Sequence, residues 1–351
     1  MMAVRRPSKT IYAGKTPIGG GWPVSVQSML NTPAHDIPAS VAQARRLEAA
    51  GCDILRAAVP DKEAVPLIAA LKEAVSIPIV ADIHFDYRLA LEAAAAGVDK
   101  IRINPGNIGA ENRVKAVADE CRRRNIPIRI GVNSGSLEPE ILAKYGHPTA
   151  EAMRDSALYH ASLLEKYDFH DIILSIKSSD VPTMVRAYEL TAEACDYPLH
   201  LGVTEAGTER MGLIKSAAGI GALLLHGIGD TIRVSLTADP EREVEAGIDL
   251  LEGLGFRSGR ARMVSCPTCG RTGIDLIGIA GKVEERLKDV CKPITVAVMG
   301  CVVNGPGEAR EADVGLAGGK GKAVIFKKGQ VVRTVPEEKA VDELMKEIDE
   351  L

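Results

Sequence analysis

Cys266 and Cys269 form a C-x-x-C pair in MVSCPTCGRTG; Cys301 follows thirty-two residues later in GCVVNGPGE, with Glu308 seven residues beyond it. A single C-x-x-C is a redox pair, half of a zinc ribbon or part of a cluster site, and alone it does not choose between them. A zinc ribbon would want a second C-x-x-C, and the sequence holds none. Three thiolates fall one short of the set that a cubane iron–sulfur cluster takes. Gly300, Gly305, Pro306 and Gly307 flank Cys301, so the backbone there can wrap closely around a bulky inorganic group. Glu308 could supply the fourth ligand through oxygen. A hard oxygen on a soft iron is labile, and such a site suits substrate binding as well as electron transfer. Cys291 sits at the end of the helical segment DLIGIAGKVEERLKDVC, just before the strand-like PITVAVMG, and reads as an ordinary core thiol; Cys52, Cys121 and Cys195 read the same way. Seven cysteines in a long chain do not suggest a disulfide framework.

The second constellation is basic. Arg56, Arg102, Arg129, Lys177 and Arg233 each lie in a short apolar run. Successive side chains of a strand point to opposite faces. Arg102 therefore shares a face with Asn104, Arg129 with Asn133, Lys177 with Ser175, Arg233 with Ser235, and Asp82 with His84, whereas Ile101 and Ile103 take the other face. Gathering several cations in one barrel mouth is costly unless an anion meets them. Guanidinium forks match phosphate oxygens in pairs, so the set points to a substrate with more than one phosphate charge. The plainer alternative is that each cation pairs with an internal acid such as Asp82 or Glu205. Glu205 ends HLGVTEAG, off the parity of His200 and Thr204. It reads as a counter-ion or, in the favoured reading, as the proton donor or acceptor. His84 and His200 read as hydrogen-bonded structural groups.

These residues need a scaffold, and the chain supplies a regular one. Apolar, β-branched runs recur at 23–29, 53–60, 77–84, 100–107, 126–133, 171–179, 198–205 and 231–237, with helical segments between them. One such segment, DPEREVEAGIDLLEG, has Asp239 as a cap, Pro240 at its first position and acids in its first turn. Gly51, Gly97 and Gly253 sit where helix ends favour a left-handed residue. Eight strand–helix units in about 250 residues have the size of a (β/α)8 barrel, with a doubly wound open sheet as the alternative. No G-x-G-x-x-G follows the first strand, and Gly19-Gly20-Gly21 before it reads as a turn. With 46% hydrophobic and 26% charged residues, the chain of 351 residues is that of a globular protein rather than a disordered one. A net charge of -4 provides no global field for nucleic acid. No run approaches a membrane span, and the N-terminus does not resemble a signal peptide, so the expected compartment is the cytoplasm.

TEAG (204–207), IKSAAGIGALL (214–224), GIGDTIRVSL (227–236), CPTCGR (266–271) and GCVVNGPGE (300–308) closely resemble the bacterial 4-hydroxy-3-methylbut-2-en-1-yl diphosphate synthases, as do RINPGNIG (102–109) and PIRIGVNSGSLE (127–138). The resemblance runs in order over nearly the whole chain. It implies a [4Fe-4S] enzyme of isoprenoid biosynthesis that reductively opens 2-C-methyl-D-erythritol 2,4-cyclodiphosphate, with loss of water. It implies Cys266, Cys269, Cys301 and Glu308 as cluster ligands, Glu205 as the acid–base residue, and Arg56, Arg102, Arg129 and Lys177 among the diphosphate binders. Asn104, Asn133 and Arg233 join the substrate-binding candidates, and Lys215 and Arg260 are further bases that could reach the phosphates. The domain division expected is a barrel over 1–253, a linker over 254–261 and a smaller α+β iron–sulfur domain over 262–351. No flavin or nicotinamide motif is present, so flavodoxin or ferredoxin is the expected electron donor. The alternative is a phosphate-binding barrel lyase or synthase with a structural metal module.

The eighth helix of a barrel returns the chain to the end opposite the catalytic mouth. The connector 254–261 spans at most ~26–29 Å when extended, while a fourteen-residue helix is already ~21 Å long. Reaching the mouth of a neighbour in a head-to-tail homodimer is the easier geometry, and the family resemblance implies the same arrangement.

Overall fold

The chain opens on an antiparallel hairpin, β1 (Ile11–Ala13) and β2 (Thr16–Ile18). The computed structural model describes residues 4–109, 111–301 and 309–351. Two units separate within it, Met1–Arg257 and Ser258–Leu351.

In the first unit every one of the eight apolar runs forms a strand: β3 (Ser25–Met29), β4 (Ile54–Ala58), β5 (Ile79–Asp82), β6 (Lys100–Ile103), β7 (Ile128–Asn133), β8 (Ile172–Lys177), β9 (His200–Leu201) and β10 (Thr231–Ile232). They pair in parallel in the order β8-β7-β6-β5-β4-β3-β10-β9. A parallel bridge between Leu174 and Leu199 joins the two ends of that order and closes the ring. This is the (β/α)8 barrel, not the open sheet. The alternation expected from period two is realised. Leu55, Ile79, Ile101, Ile128 and Leu174 point outward into the main core beneath the helices. Ile54, Val80 and Ile173 point inward near the strand starts and pack on Ile11, Ala13 and Ile18 of the hairpin. The hairpin thus plugs the N-terminal end of the barrel, and full burial of Ile18 contributes about 2 kcal/mol. Gly19, Gly20 and Gly21 follow the hairpin, all with positive φ. A Cβ on Gly19 would lie 2.1 Å from the Lys9 carbonyl oxygen, so only glycine makes this turn.

Local chemistry starts the helices. Asp36 accepts from the Ala39 amide ahead of helix Ile37–Ala49, and Asp180 accepts from the Thr183 amide ahead of Val181–Ala194. Two terminal expectations need correction. Asp239 occupies the cap position of helix Pro240–Gly253, but its side chain makes no capping hydrogen bond. Gly51 and Gly97 are left-handed as expected, whereas Gly253 stays helical and the left-handed residue is Gly255, with φ 78°. Among the described residues no helix is long and apolar enough to cross a membrane.

The second unit is a five-stranded sheet, β11 (Arg262–Ser265), β12 (Thr295–Met299), β13 (Val314–Gly319), β14 (Lys322–Lys327) and β15 (Gln330–Pro336), paired in that order. The first three strands are parallel and the last two pairings antiparallel. Helices Leu276–Leu287 and Ala340–Asp349 cover one face, with Val283, Val296, Leu316, Ile325 and Leu344 in a core of their own. Cys291 corrects another expectation. The helix ends at Leu287, and the thiol that reads as core is exposed. Cys52 and Cys121 are buried, and burial pushes both thiols up to about 12.

Candidate active site

The inward rows of the barrel bring the expected cations together. Asp82 is buried between two of them: Arg56 Nη2 donates to its Oδ2 at 2.5 Å, and Arg102 Nη1 to its Oδ1 at 3.1 Å. Burial works to raise the Asp82 pKa, but the two guanidiniums outweigh it and hold the carboxyl at about 2. Arg56 and Arg102 thus share this internal acid, the pairing that the plainer reading expects, and each has further guanidinium nitrogens besides. That pairing does not extend to Arg129. That side chain is 1% exposed, and its Nε and Nη2 have no hydrogen-bond partner. Lys177 is buried too; burial, then the fields of Arg233 and Arg129, push its amine well below the ordinary value.

Arg233 has a partner that the sequence concealed. Its Nη2 lies 3.1 Å from Glu243 Oε2, and Glu243 Oε1 also accepts from the Leu236 amide at 2.9 Å. Glu243 reads as a first-turn helix acid in sequence, yet it is buried against the barrel interior. Two glycines were also missed. A Cβ on Gly131 would stand 2.6 Å from Arg102 Nε, and one on Gly202 would stand 2.8 Å from Lys177 Nζ. Their missing side chains are the space through which the two cations cross. No motif marks them; the inward parity of β7, worked through residue by residue, would have found Gly131, whereas Gly202 lies one residue past the end of β9.

Asn104 is buried just after β6, and Asn133 ends β7 in register with Lys177. Lys215 is half-buried on helix Glu209–Leu225. Arg260 belongs to the second unit. Glu205 lies beyond the end of β9, so strand parity no longer governs it. It is exposed, with φ 50° in the left-handed region that non-glycine residues rarely enter. His84 is exposed, 3.9 Å from Asp82. His200 is fully buried, with Nδ1 3.4 Å from Thr231 Oγ1 and Nε2 unpartnered.

Removing the charge of Asp82 has a calculable cost. Asp82→Asn leaves Arg56 and Arg102 buried without a counter-charge and should lower the unfolding free energy of the ligand-free protein by about 3 kcal/mol in urea titrations. Because the folded-state pKa is depressed, this contribution is present above the ordinary aspartate value and lost as pH falls toward 2.

In the second unit, the parallel neighbours β11 and β12 deliver Cys266 and Cys301 to the same end of the sheet, since Ser265 pairs with Val298. The Gly300 amide donates to Cys266 Sγ at 3.1 Å. The Gly273 amide donates to the Gly300 carbonyl at 3.0 Å, which ties the Cys269 loop to the Cys301 loop. Cys269 is exposed, and the Arg271 amide and then its guanidinium lower the thiol's pKa. A Cβ on Gly300 would lie 3.0 Å from Leu276, so the turn into Cys301 has little room to spare. Glu308 falls within 302–308, outside the described residues. Among the described residues no group of three or more His, Cys, Asp or Glu side chains is set to hold a metal ion. The donor chemistry nevertheless fits an iron–sulfur cluster: soft sulfur ligands, an amide already hydrogen-bonded to one of them, and glycine where the backbone turns.

Comparison with known proteins settles the family. Residues 8–248 match the GcpE TIM-barrel domain and residues 262–350 match the GcpE protein C-terminal domain. The chain belongs to the GcpE family. A relative from Bacillus mycoides (strain KBAB4), named 4-hydroxy-3-methylbut-2-en-1-yl diphosphate synthase (flavodoxin), is 56% identical over 348 residues, covering 99% of this chain and 95% of the relative. One of the same name from Bacillus anthracis is equally identical over the same length. The GcpE barrel also resembles dihydropteroate synthase from Stenotrophomonas maltophilia in fold alone, with a TM-score of 0.51 at 17% identity, over 67% of this chain and 92% of that one. The Yersinia pestis enzyme gives 0.51 at 14% identity, over 70% and 97%. The family resemblance carried by TEAG, CPTCGR and GCVVNGPGE therefore holds over nearly the whole chain.

Proposed function

We propose that this chain is a flavodoxin-dependent 4-hydroxy-3-methylbut-2-en-1-yl diphosphate synthase. It opens 2-C-methyl-D-erythritol 2,4-cyclodiphosphate and releases water at the cost of two electrons. The observation that carries the reading is the 56% identity to relatives of that name along 99% of the chain. Arg129, whose Nε and Nη2 have no hydrogen-bond partner, and the buried Lys177 amine support it, because they are basic groups that Asp82 does not serve and that an entering anion would meet. Arg56, Arg102, Arg129 and Lys177 hold the diphosphate, with Asn104, Asn133, Lys215, Arg233 and Arg260 as further contacts. Glu205 gives a proton to the departing hydroxyl. Cys266, Cys269, Cys301 and Glu308 would hold a [4Fe-4S] cluster, which when bound supplies single electrons at low potential.

The working unit we propose is a head-to-tail homodimer in which the cysteines of one chain serve the barrel of its partner. The start of the connector supports this. The Phe256 amide donates to the Leu251 carbonyl at 2.8 Å, and Arg257 pairs with Asp53, just before β4, at 3.0 Å. The chain is thus fastened at the plugged end of the barrel as far as Arg257. Ser258 to Ala261 alone remain to reach β11, at most ~13–14 Å of chain, which is shorter than the ~21 Å helix that separates the two ends of a barrel.

Anaerobically prepared protein tests the reading when given the cyclic diphosphate and reduced flavodoxin. Formation of the linear diphosphate supports it, and no product with either flavodoxin or a chemical reductant refutes it. Arg102→Ala and Lys177→Ala should each weaken binding of the cyclic diphosphate by about 1.5–3 kcal/mol, the scale of a charged hydrogen bond, measured by titration calorimetry. Unaltered affinity in both variants would place the phosphates elsewhere.

A further inference from the structure

Below the cation row, the barrel interior contains a group that the reaction as described does not use. Lys100, the first residue of β6, points inward in register with Val80 of β5, is 0% exposed, and its Nζ has no hydrogen-bond partner. A buried ammonium without a counter-charge is among the costliest groups a fold can hold. The acids that might have served it are committed: Asp82 to Arg56 and Arg102, and Glu243 to Arg233. The groups acting on Lys100 are Arg129 of β7 and Arg56 of β4, both cations, and Lys100 acts in turn on the uncharged His200 of β9. From β3, Ser25 and Gln27 offer only neutral groups, all of them unpartnered.

We propose that Lys100 answers the charge of the opened diphosphate: an uncharged amine in the empty barrel, it takes up a proton when a linear diphosphate occupies the mouth. This deepens the diphosphate reading and rests on it. In the cyclic substrate each phosphate is a diester carrying one negative charge. Ring opening breaks a C–O bond, the phosphate keeps the oxygen, and that phosphate becomes terminal. Its second ionisation lies near ~6, so at neutral pH the diphosphate gains one negative charge. The two electrons come from flavodoxin, and the proton that makes the hydroxyl into water is separate from the one Lys100 takes from solvent. Burial, then the fields of Arg129 and Arg56, push the empty-state amine well below its ordinary value, and a buried amine without a counter-charge or hydrogen-bond partner sheds its charge rather than bear the desolvation. An arginine here would hold its charge in both states and a methionine in neither.

The sign of the stability effect follows. The unfolded chain carries a proton on this lysine that the empty folded barrel lacks, so Lys100 costs stability at neutral pH, and the cost fades as pH climbs toward ~10.4. Lys100→Met in the full chain should therefore melt at or above the parent temperature when empty. Calorimetric titrations at pH 8 in buffers of different ionisation enthalpy count protons taken up on binding. The probes are the linear product and the cyclic diphosphate. Lys177 can take up a proton with either ligand, so the difference between the two ligands is the quantity read. The parent protein should take up about one more proton with the linear diphosphate than with the cyclic one. In Lys100→Met that difference should vanish, and affinity for the linear form should fall at least tenfold more than affinity for the cyclic form. An unchanged proton difference in Lys100→Met, an equal loss for both ligands, or a lowered empty-state melting temperature would overturn the proposal. A parent protein that binds neither diphosphate would refute the diphosphate reading itself.

Discussion

Cys301→Ser should yield a colourless enzyme with no measurable turnover, while the barrel remains folded and still binds the cyclic diphosphate. The first half follows from ligand chemistry. A serine hydroxyl is a hard, weakly acidic donor where the iron of a cluster wants a thiolate. Cys301 has no thiol neighbour within its own loop to take its place, since the next residues are Val302, Val303 and Asn304. The second half follows from how the chain divides. The cysteine unit has its own sheet and its own core of Val283, Val296, Leu316 and Ile325, and the barrel has another. Damage at the strand ends of one should not reach the other. Iron and sulfide content, absorption near 400 nm and calorimetric binding of the diphosphate would measure the two halves separately. Cys291→Ser and Cys195→Ser are the controls and should be nearly silent. A full cluster in Cys301→Ser would mean that the ligand set is wrong.

How far the sequence discloses such a site depends on the signal each residue carries. The eight strands were readable because each is a compact run of β-branched residues, and the fold leaves no other place for so many. Strand parity places Arg102, Arg129 and Lys177 on the inward face. Parity failed where strands stop. β9 and β10 are two residues each, so it could not orient Glu205. Glu243 was hidden by a competing explanation: an acid in a helix's first turn satisfies the helix dipole and invites no further question. Lys100 was hidden likewise, because a lysine opening a strand after GVD looks like a solvated edge. Gly253 and Gly255 are two residues apart, and terminal signals do not resolve such a difference. Cys291 reads as buried because it stands between a helical run and the strand-like PITVAVMG, but the helix that should have carried it inward stops at Leu287.

Glu205→Gln should bind the cyclic diphosphate with near-parent affinity and turn it over about 10²–10⁴ times more slowly, the range for loss of a general acid or base. Glutamine keeps the shape of the side chain and its hydrogen-bonding reach but cannot release a proton. Were Glu205 only a counter-ion to the cation row, the effect would fall on affinity instead. The geometry argues against a counter-ion: Glu205 is exposed and pairs with no cation among the described residues, whereas Asp82 and Glu243 are the acids that pair with Arg56, Arg102 and Arg233. The backbone adds a second argument. A non-glycine residue at φ 50° costs of order 1–3 kcal/mol, and the ordinary reason for a fold to hold one is that the side chain must point where it does. Glu205→Gln also tests the composite dimer. Mixed dimers of a Glu205→Gln chain and a Cys301→Ser chain contain two inactive protomers. If the cysteines of one chain serve the barrel of the other, one of the two sites is built from an intact barrel and an intact cysteine set. Purified mixed dimers should then regain up to half the activity of the parent dimer. Correctly assembled, cluster-loaded mixed dimers without activity would force each cysteine set to serve its own barrel, because in that arrangement every site carries one of the two lesions.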